Sequence, residues 1–472
     1  YATDATHWIV MAEFEFTPSL AGDTVSALEN SLADVDLTTA PETQPPTYDI
    51  NHVLLYGQSL SLGAEGTPGL STTAKYGSLM LGTTLGAQNN TTPTSVWLIN
   101  GSGFNPLQIN NTQAEAPIYS AMATYRALTY RSQDITTNTD QLMLASACGI
   151  GGTAISQLQQ GAAPDCFNRL VSCMDQANTH AASQALTYGV TALVWLQGES
   201  NSTTSQAVYA AALRDIYADF VVAALAETGQ TADPAMFMYQ TTARDTNYNT
   251  TNLGVQMAQL DIGLNDAGCF MVGPVYPYNS SDNLHLPANS YRWWGAQLGK
   301  VMHRVLTLGQ NWQPLHITAA TMRGQRVLLE YHVPVGPLVF QDSWLEPGWT
   351  PGGGTVGAAN APYDATDKGF TVINNAGTVQ PIASVVLAAA NQVLITLASA
   401  PSGAPYFVRY ADGSAGHYGH GSVRDSDPAL ADDIYLDLQA GQAACERQWD
   451  ASAKKYPLYN WAVSQYVAIT VV

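Results

Sequence analysis

The chain runs to 472 residues, more than a single hydrophobic core usually supports, so it reads as one large domain with a smaller one attached. Charged side chains make up 11% of it against roughly a quarter in an average soluble protein, and Asn, Thr, Gln, Ser and Ala fill the surface instead. With 17 basic and 37 acidic side chains the formal charge is −20, which repels a phosphate backbone and an anionic membrane alike and argues against nucleic acid as a partner.

No apolar run reaches the roughly 18 residues of a membrane span, and the opening YATDATHWIV lacks the basic start of a signal peptide. The low-charge surface suits an exported protein, extracellular or periplasmic, or a component of a phage-like particle. Five cysteines (Cys148, Cys166, Cys173, Cys269, Cys445) form no CxxC pair and no ligand cluster, and their odd number leaves at least one free thiol. Cys166 and Cys173, seven apart in a helix-like stretch, read as small core residues.

In chain order, residues 1–47 hold a β-like piece, Trp8–Phe16, and a polar linker ending in PETQPPT, together an arm suited to attachment to a larger assembly. From 48 to 312, short apolar runs alternate with helical patterns, as in βαβ units around a parallel sheet. The strand runs are His52–Tyr56, Val96–Ile99, Gln141–Ala147, Val190–Leu196 and Met236–Tyr239, each apolar enough to be covered on both faces. Helical spacing follows at Leu253, Met257, Leu260 and Leu264, and at Trp294, Leu298, Val301 and Val305, with Pro287 at the first turn of the latter helix. From 313 to 411 the pattern changes to short alternating runs between Gly and Pro, an all-β module best read as a sandwich. The segment 412–472 opens with a His-, Gly- and Asp-rich stretch and reaches Tyr456–Val463, which is expected to return to the first domain.

Four pieces carry chemistry, each at the end of an apolar strand or just before a helix, where open α/β sheets bind ligands. The first is Gly57-Gln58-Ser59 after HVLLY; as a lone feature it reads as a turn with a capping serine. The second is Ser146–Ile155, whose Gly151 and Gly152 N–H groups could face an oxyanion; no Lys-Ser/Thr follows, which excludes a phosphate loop. The third is Trp195–Asn201, at the end of VTALVWL, where the Gln197 amide is a candidate donor to the same oxyanion and Glu199 can hold loops together or orient neighbours. The fourth is Asp282-Asn-Leu-His285. An attacking serine needs a base, and the base a carboxylate that fixes its tautomer, so Asp282 can take one ring nitrogen of His285 while the other points at Ser59.

This ordered set resembles the SGNH (GDSL-like) hydrolase superfamily, and within it the sialate O-acetylesterase-like carbohydrate esterases, over roughly residues 48–312. The wider superfamily carries Asp before its serine and Asn in its third block; Gln58 and Gln197 stand at those places here, as in the sialate-esterase-like branch. The resemblance implies a flavodoxin-like three-layer α/β fold with a parallel sheet, and a serine esterase acting on O-acetyl sugars without cofactor or metal. Its catalytic residues would be Ser59, Asp282 and His285, with the Ser59 N–H, Gly151 or Gly152 and Gln197 as oxyanion donors and Gln58 and Glu199 in support. The Ser422–Ser426 run and Tyr456–Val463 also look similar to the end of these esterases.

Two other readings stand beside this one: an inactive hydrolase fold serving as a carbohydrate-binding or adhesive protein, and a lipid or thioester hydrolase. The loops Asn89–Thr92, Asn100–Asn111 and Asn247–Asn252 favour sugar over an apolar chain. His417 and His420, with Asp425, Asp427, Asp432 and Asp433, match no EF-hand spacing and read as a solvated loop; His52, His180, His303, His316 and His332 read as structural.

Overall fold

A computed structural model describes residues 42–87, 94–110, 113–242, 253–278, 280, 282, 284–341, 366–413, 419–435 and 455–472. The Trp8–Phe16 piece and most of the expected arm, the loops Asn89–Thr92 and Asn247–Asn252, His417 and Cys445 lie outside the described residues.

Seven strands make the first sheet: β1 Ile50–Gly57, β2 Leu79–Leu81, β3 Phe104–Pro106, β4 Leu142–Ala147, β5 Tyr188–Leu196, β6 Ala235–Gln240 and β7 Cys269–Pro274. Their order is β3-β2-β4-β1-β5-β6-β7, parallel throughout except for β3, which runs antiparallel to β2 at the edge. Val53 and Leu55 of β1 face a core shared with helices α1 (Pro117–Ser132) and α5 (Ala288–Met302). Leu54 and Tyr56 face the opposite core, with α2 (Asn168–Ser183), α3 (Gln206–Thr228) and α4 (Gly254–Asn265). Burial on both faces is why these strands read as unbroken apolar runs, and it gives the three-layer α/β architecture expected of the chain.

Val96–Ile99 is not a strand. It is irregular, with Trp97 fully buried and its indole N–H donating to the Ala147 carbonyl at 3.0 Å, so an apolar run that looks like a strand is an anchor for a loop. The edge is built instead by β2 and β3, three residues each and too short to leave a period. Cys166 precedes α2 while Cys173 lies within it, so the two do not share a helix face, although both are buried and free.

The second sheet contains β8 His316–Arg323, β9 Arg326–His332, β11 Phe370–Asn374, β12 Val379–Gln380, β13 Ile382–Ala389, β14 Gln392–Leu397, β15 Tyr406–Tyr410 and β19 Gln465–Val471. It is continuous, in the order β12-β11-β15-β19-β8-β9-β14-β13, and inward residues of both halves, such as Val372 and Val408 with Val327 and Ile395, share one core. The last strand joins the halves: β19 is antiparallel to β15 and, at Thr470 and Val471, parallel to β8. Two short ladders, β10 Val339–Phe340 with β16 Val423–Arg424 and β17 Leu430–Ile434 with β18 Lys455–Pro457, complete the chain.

The C-terminal segment therefore divides. Tyr456 stacks on Trp293 of α5 and donates to Asn289, while β19 belongs to the second sheet. The acidic run, expected as a solvated loop, is largely packed: Asp425, Asp427 and Asp433 are buried. Asp433 pairs with Arg292 and Lys75, each at 2.5 Å, Asp427 pairs with Lys300 at 2.8 Å, and the half-buried Asp432 pairs with Arg131 at 2.6 Å. These cations come from α1, α5 and a distant loop, so the run looks solvated only until the tertiary structure supplies its partners.

Candidate active site

Strand β1 ends in a turn that leaves no space for a side chain. Gly57 has φ +138°, and a Cβ there would lie 2.0 Å from the Leu196 carbonyl oxygen, on backbone that the adjacent Gln58 N–H bonds at 2.9 Å. Gly57→Ala is expected to cost on the order of 3–5 kcal/mol, since strain and a backbone clash coincide; thermal unfolding of the purified variant checks it. Ser59 then opens a single 3₁₀ turn, Ser59–Leu62, and remains partly accessible. Two buried neighbours brace it: the Ser61 hydroxyl donates to the Gln58 carbonyl at 2.6 Å, and Gln58 Oε1 accepts from the N–H of Ser200 at 3.2 Å and of Gly198 at 3.4 Å. Gln58 thus ties the serine turn to the end of β5.

His285 reaches the same place from the loop before α5. Its Nε2 lies 2.7 Å from Ser59 Oγ and its Nδ1 2.7 Å from Asp282 Oδ2. Asp282 also accepts from the backbone N–H of His285 at 2.7 Å and of Leu284 at 3.0 Å through Oδ1, so the three-residue spacing folds the loop around its own carboxylate. A carboxylate only accepts, which assigns Nδ1–H to His285 and leaves Nε2 as acceptor for the Ser59 hydroxyl. Burial pulls the His285 pKa down, but the hydrogen bond and charge of Asp282, with the charges of Glu65 and Glu199, outweigh it and hold the imidazole above its ordinary 6.5. Burial likewise works to raise Asp282, and its bonds to His285 and Leu284 overcome this and hold it at about 2.

Gly151 lies against the serine, since a Cβ on it would sit 4.0 Å from Ser59 Cβ; Gly152 is left-handed, at φ +72°, with open space beside it. Among the described residues the N–H groups of Ser59, Gly151 and Gly152 have no protein acceptor. Gln197 differs from expectation. It is fully buried, and its amide nitrogen donates to Asn201 Oδ1 at 2.6 Å and to the Thr153 carbonyl at 3.2 Å, while Oε1 accepts from the Tyr209 hydroxyl at 2.7 Å. Both amide protons are engaged, so in this arrangement Gln197 fixes the loop after Gly152 and is not aimed at an oxyanion. Glu199 is buried and accepts from the hydroxyls of Tyr239 at 2.5 Å and Thr241 at 2.6 Å, joining the ends of β5 and β6, and burial raises its pKa despite those bonds.

Sequence reasoning missed Tyr209, Tyr239, Thr241 and Glu65, and gave Asn201, though inside the third motif, no role. Thr241 directly follows β6, so its place at a strand end was a usable signal. Glu65 carries no sequence signal; it is an exposed residue at φ +64° whose charge acts on His285.

Residues 108–304 match the family model of the carbohydrate esterases described as sialic acid-specific acetylesterases. That stretch is less than half of the chain and takes in Gly151–Gly152, Gln197–Glu199 and Asp282–His285; Ser59 lies before it and is brought to these residues by the fold. Among solved structures, a carbohydrate acetylesterase from Xanthomonas citri is similar at 13% identity with a TM-score of 0.51, over 79% of this chain and 77% of that one. A protein from Arabidopsis thaliana is similar at 15% identity (TM-score 0.38, 55% of this chain and 98% of that one), and the protein NanS at 11% (TM-score 0.35, 56% and 98%). No curated protein matches the chain by sequence. At such an identity the Xanthomonas likeness speaks for the fold alone.

Proposed function

We propose that this chain, whose residues 108–304 match the family model of the carbohydrate esterases described as sialic acid-specific acetylesterases, removes O-acetyl groups from sugars with Ser59 as nucleophile. The observation that carries this reading is the hydrogen-bonded series Asp282–His285–Ser59 at the carboxyl ends of the strands. Ser59 Oγ attacks the acetyl carbonyl carbon while His285 Nε2 takes its proton, and Asp282 stabilises the imidazolium that results. The oxyanion is received by the N–H of Ser59 and of Gly151 or Gly152. Collapse breaks the ester bond, and His285 returns the proton to the departing sugar oxygen. Water, deprotonated by the same histidine, then attacks the acetyl-enzyme; the bond to Ser59 Oγ breaks, His285 returns the proton to that oxygen, and acetate leaves. Gln197, Gln58 and Glu199 act by holding the loops that carry these groups.

The acetylated substrate belongs to a polysaccharide or glycan met outside the cell, in keeping with the low-charge surface. Acetate release from a panel of acetylated glycans, neutral and sialylated, tests the reaction and names the sugar. If neither those glycans nor simple aryl acetates are cleaved, the binding-protein reading replaces this one.

The reaction should be pH-dependent in a stated direction. Only neutral His285 can act as base, and its pKa is held above 6.5 chiefly by Asp282, so the rate should rise with pH to a midpoint above that value. In Asp282→Asn the midpoint should move down and the plateau fall by roughly 10²–10⁴-fold. A pH–kcat/KM profile of both proteins measures this; an unmoved midpoint contradicts the role given to Asp282.

A further inference from the structure

A polar cavity of about 150 Å³ lies beneath the loop that follows the serine turn and is lined by Ser71, Lys75, Ser78, Tyr119, Arg292 and Asp433 among others. Its hydrogen-bonding groups are unbalanced. Every carboxylate oxygen in or next to it already accepts: Asp433 Oδ1 from Lys75 and Arg292, Asp433 Oδ2 from Ser120 at 2.8 Å, Glu115 Oε1 from the Ser71 hydroxyl, and Glu115 Oε2 from the N–H of Leu70 and Ser71. The donors are not used up. Among the described residues, Arg292 Nε and Ser78 Oγ, on residues 5% and 2% exposed, have no partner. The Tyr119 hydroxyl makes no hydrogen bond among the described residues, and the Lys75 ammonium gives one of its three protons to Asp433. Acceptors saturated and donors free is the complement of a ligand that only accepts.

We propose that this cavity binds a small carboxylate, with Arg292 Nε–H and Lys75 supplying charge-assisted hydrogen bonds and the Ser78 and Tyr119 hydroxyls two more. A monoanion suits it better than a dianion. Lys75 and Arg292 already face the Asp433 carboxylate, and Glu115, whose pKa burial raises to about 7, adds negative charge near Arg292, so a phosphate would meet more repulsion than a carboxylate. The site is separate from Ser59 and does not depend on the esterase reading.

Equilibrium dialysis with labelled acetate, run on full-length Ser59→Ala protein so that the nucleophile plays no part, tests this. One acetate should bind per chain, and adding Ser78→Ala with Tyr119→Phe should weaken binding at least tenfold. Neither hydroxyl has a partner among the described residues, so these variants should keep the parent's melting temperature; Lys75→Met provides a second, independent loss of a donor. Inorganic phosphate should bind more weakly than acetate. The assignment is overturned by no saturable acetate binding, by binding undiminished in both variants, by tighter binding of phosphate, or by a crystal grown in acetate that holds only water in the cavity.

Discussion

Replacing Ser59 by alanine is expected to lower acetyl release by ~10⁴-fold or more, and His285→Ala by a similar factor. The two form one proton-transfer unit, 2.7 Å apart, so the double variant should be hardly worse than either single one. The nucleophile cannot attack while it holds its proton, and the histidine has no proton to accept once the serine is gone. What activity remains comes from binding and from the free N–H groups of the serine turn and the Gly151–Gly152 turn. Gln197→Ala should behave differently. It leaves the chemical groups in place and loosens the loop held through Thr153 and Asn201, so its melting temperature should fall along with its rate. Steady-state kinetics on an aryl acetate, beside thermal unfolding of each variant, separates the two kinds of loss.

The second large effect concerns stability. Asp433 is 3% exposed and neutralises Arg292 and Lys75 while accepting from Ser120, bridging β17 to both helices of one face of the sheet. Removing its carboxylate in Asp433→Ala leaves the buried Arg292 guanidinium unpaired, which costs about 3–5 kcal/mol. That corresponds to a melting temperature lower on the order of 10 °C. The neighbouring Asp432 is the control: its partner Arg131 is 59% exposed, and Asp432→Ala should cost under about 1 kcal/mol. Acid should act on the same pair. Burial raises the Asp433 pKa, but Arg292, Lys75 and Ser120 outweigh it and hold the group below its ordinary 3.8. The stability it contributes is therefore present above that value and lost as pH falls through the depressed one.

Much of the architecture was legible because strands covered on both faces write continuous apolar runs, and β1, β4, β5 and β6 all do so. Val96–Ile99 misled for the same reason, since a loop anchored by the buried Trp97, with Val96 and Leu98 exposed, carries the same composition. β2 and β3 were invisible because three residues hold no period, and β7, CFMVGP, ends in a Gly-Pro pair that reads as a turn. At the site, what was readable was which residues lie together at the strand ends: Ser59 after β1, the glycines after β4, and Asp282 with His285 three residues apart. What could not be read was how polar groups pair over long separations. Gln197 looked like a free donor until Asn201 and Thr153 took its protons, and the acidic run looked solvated until Arg292, Lys75 and Lys300 met it.

The most direct test is to trap the intermediate. Protein mixed with an excess of aryl acetate, quenched in acid and digested, should yield the peptide containing Ser59 heavier by one acetyl group. The same treatment of His285→Ala should leave that peptide almost unmodified. Acetyl found on another residue, or turnover of the ester with Ser59 never modified, would contradict the assignment of Ser59 as the nucleophile.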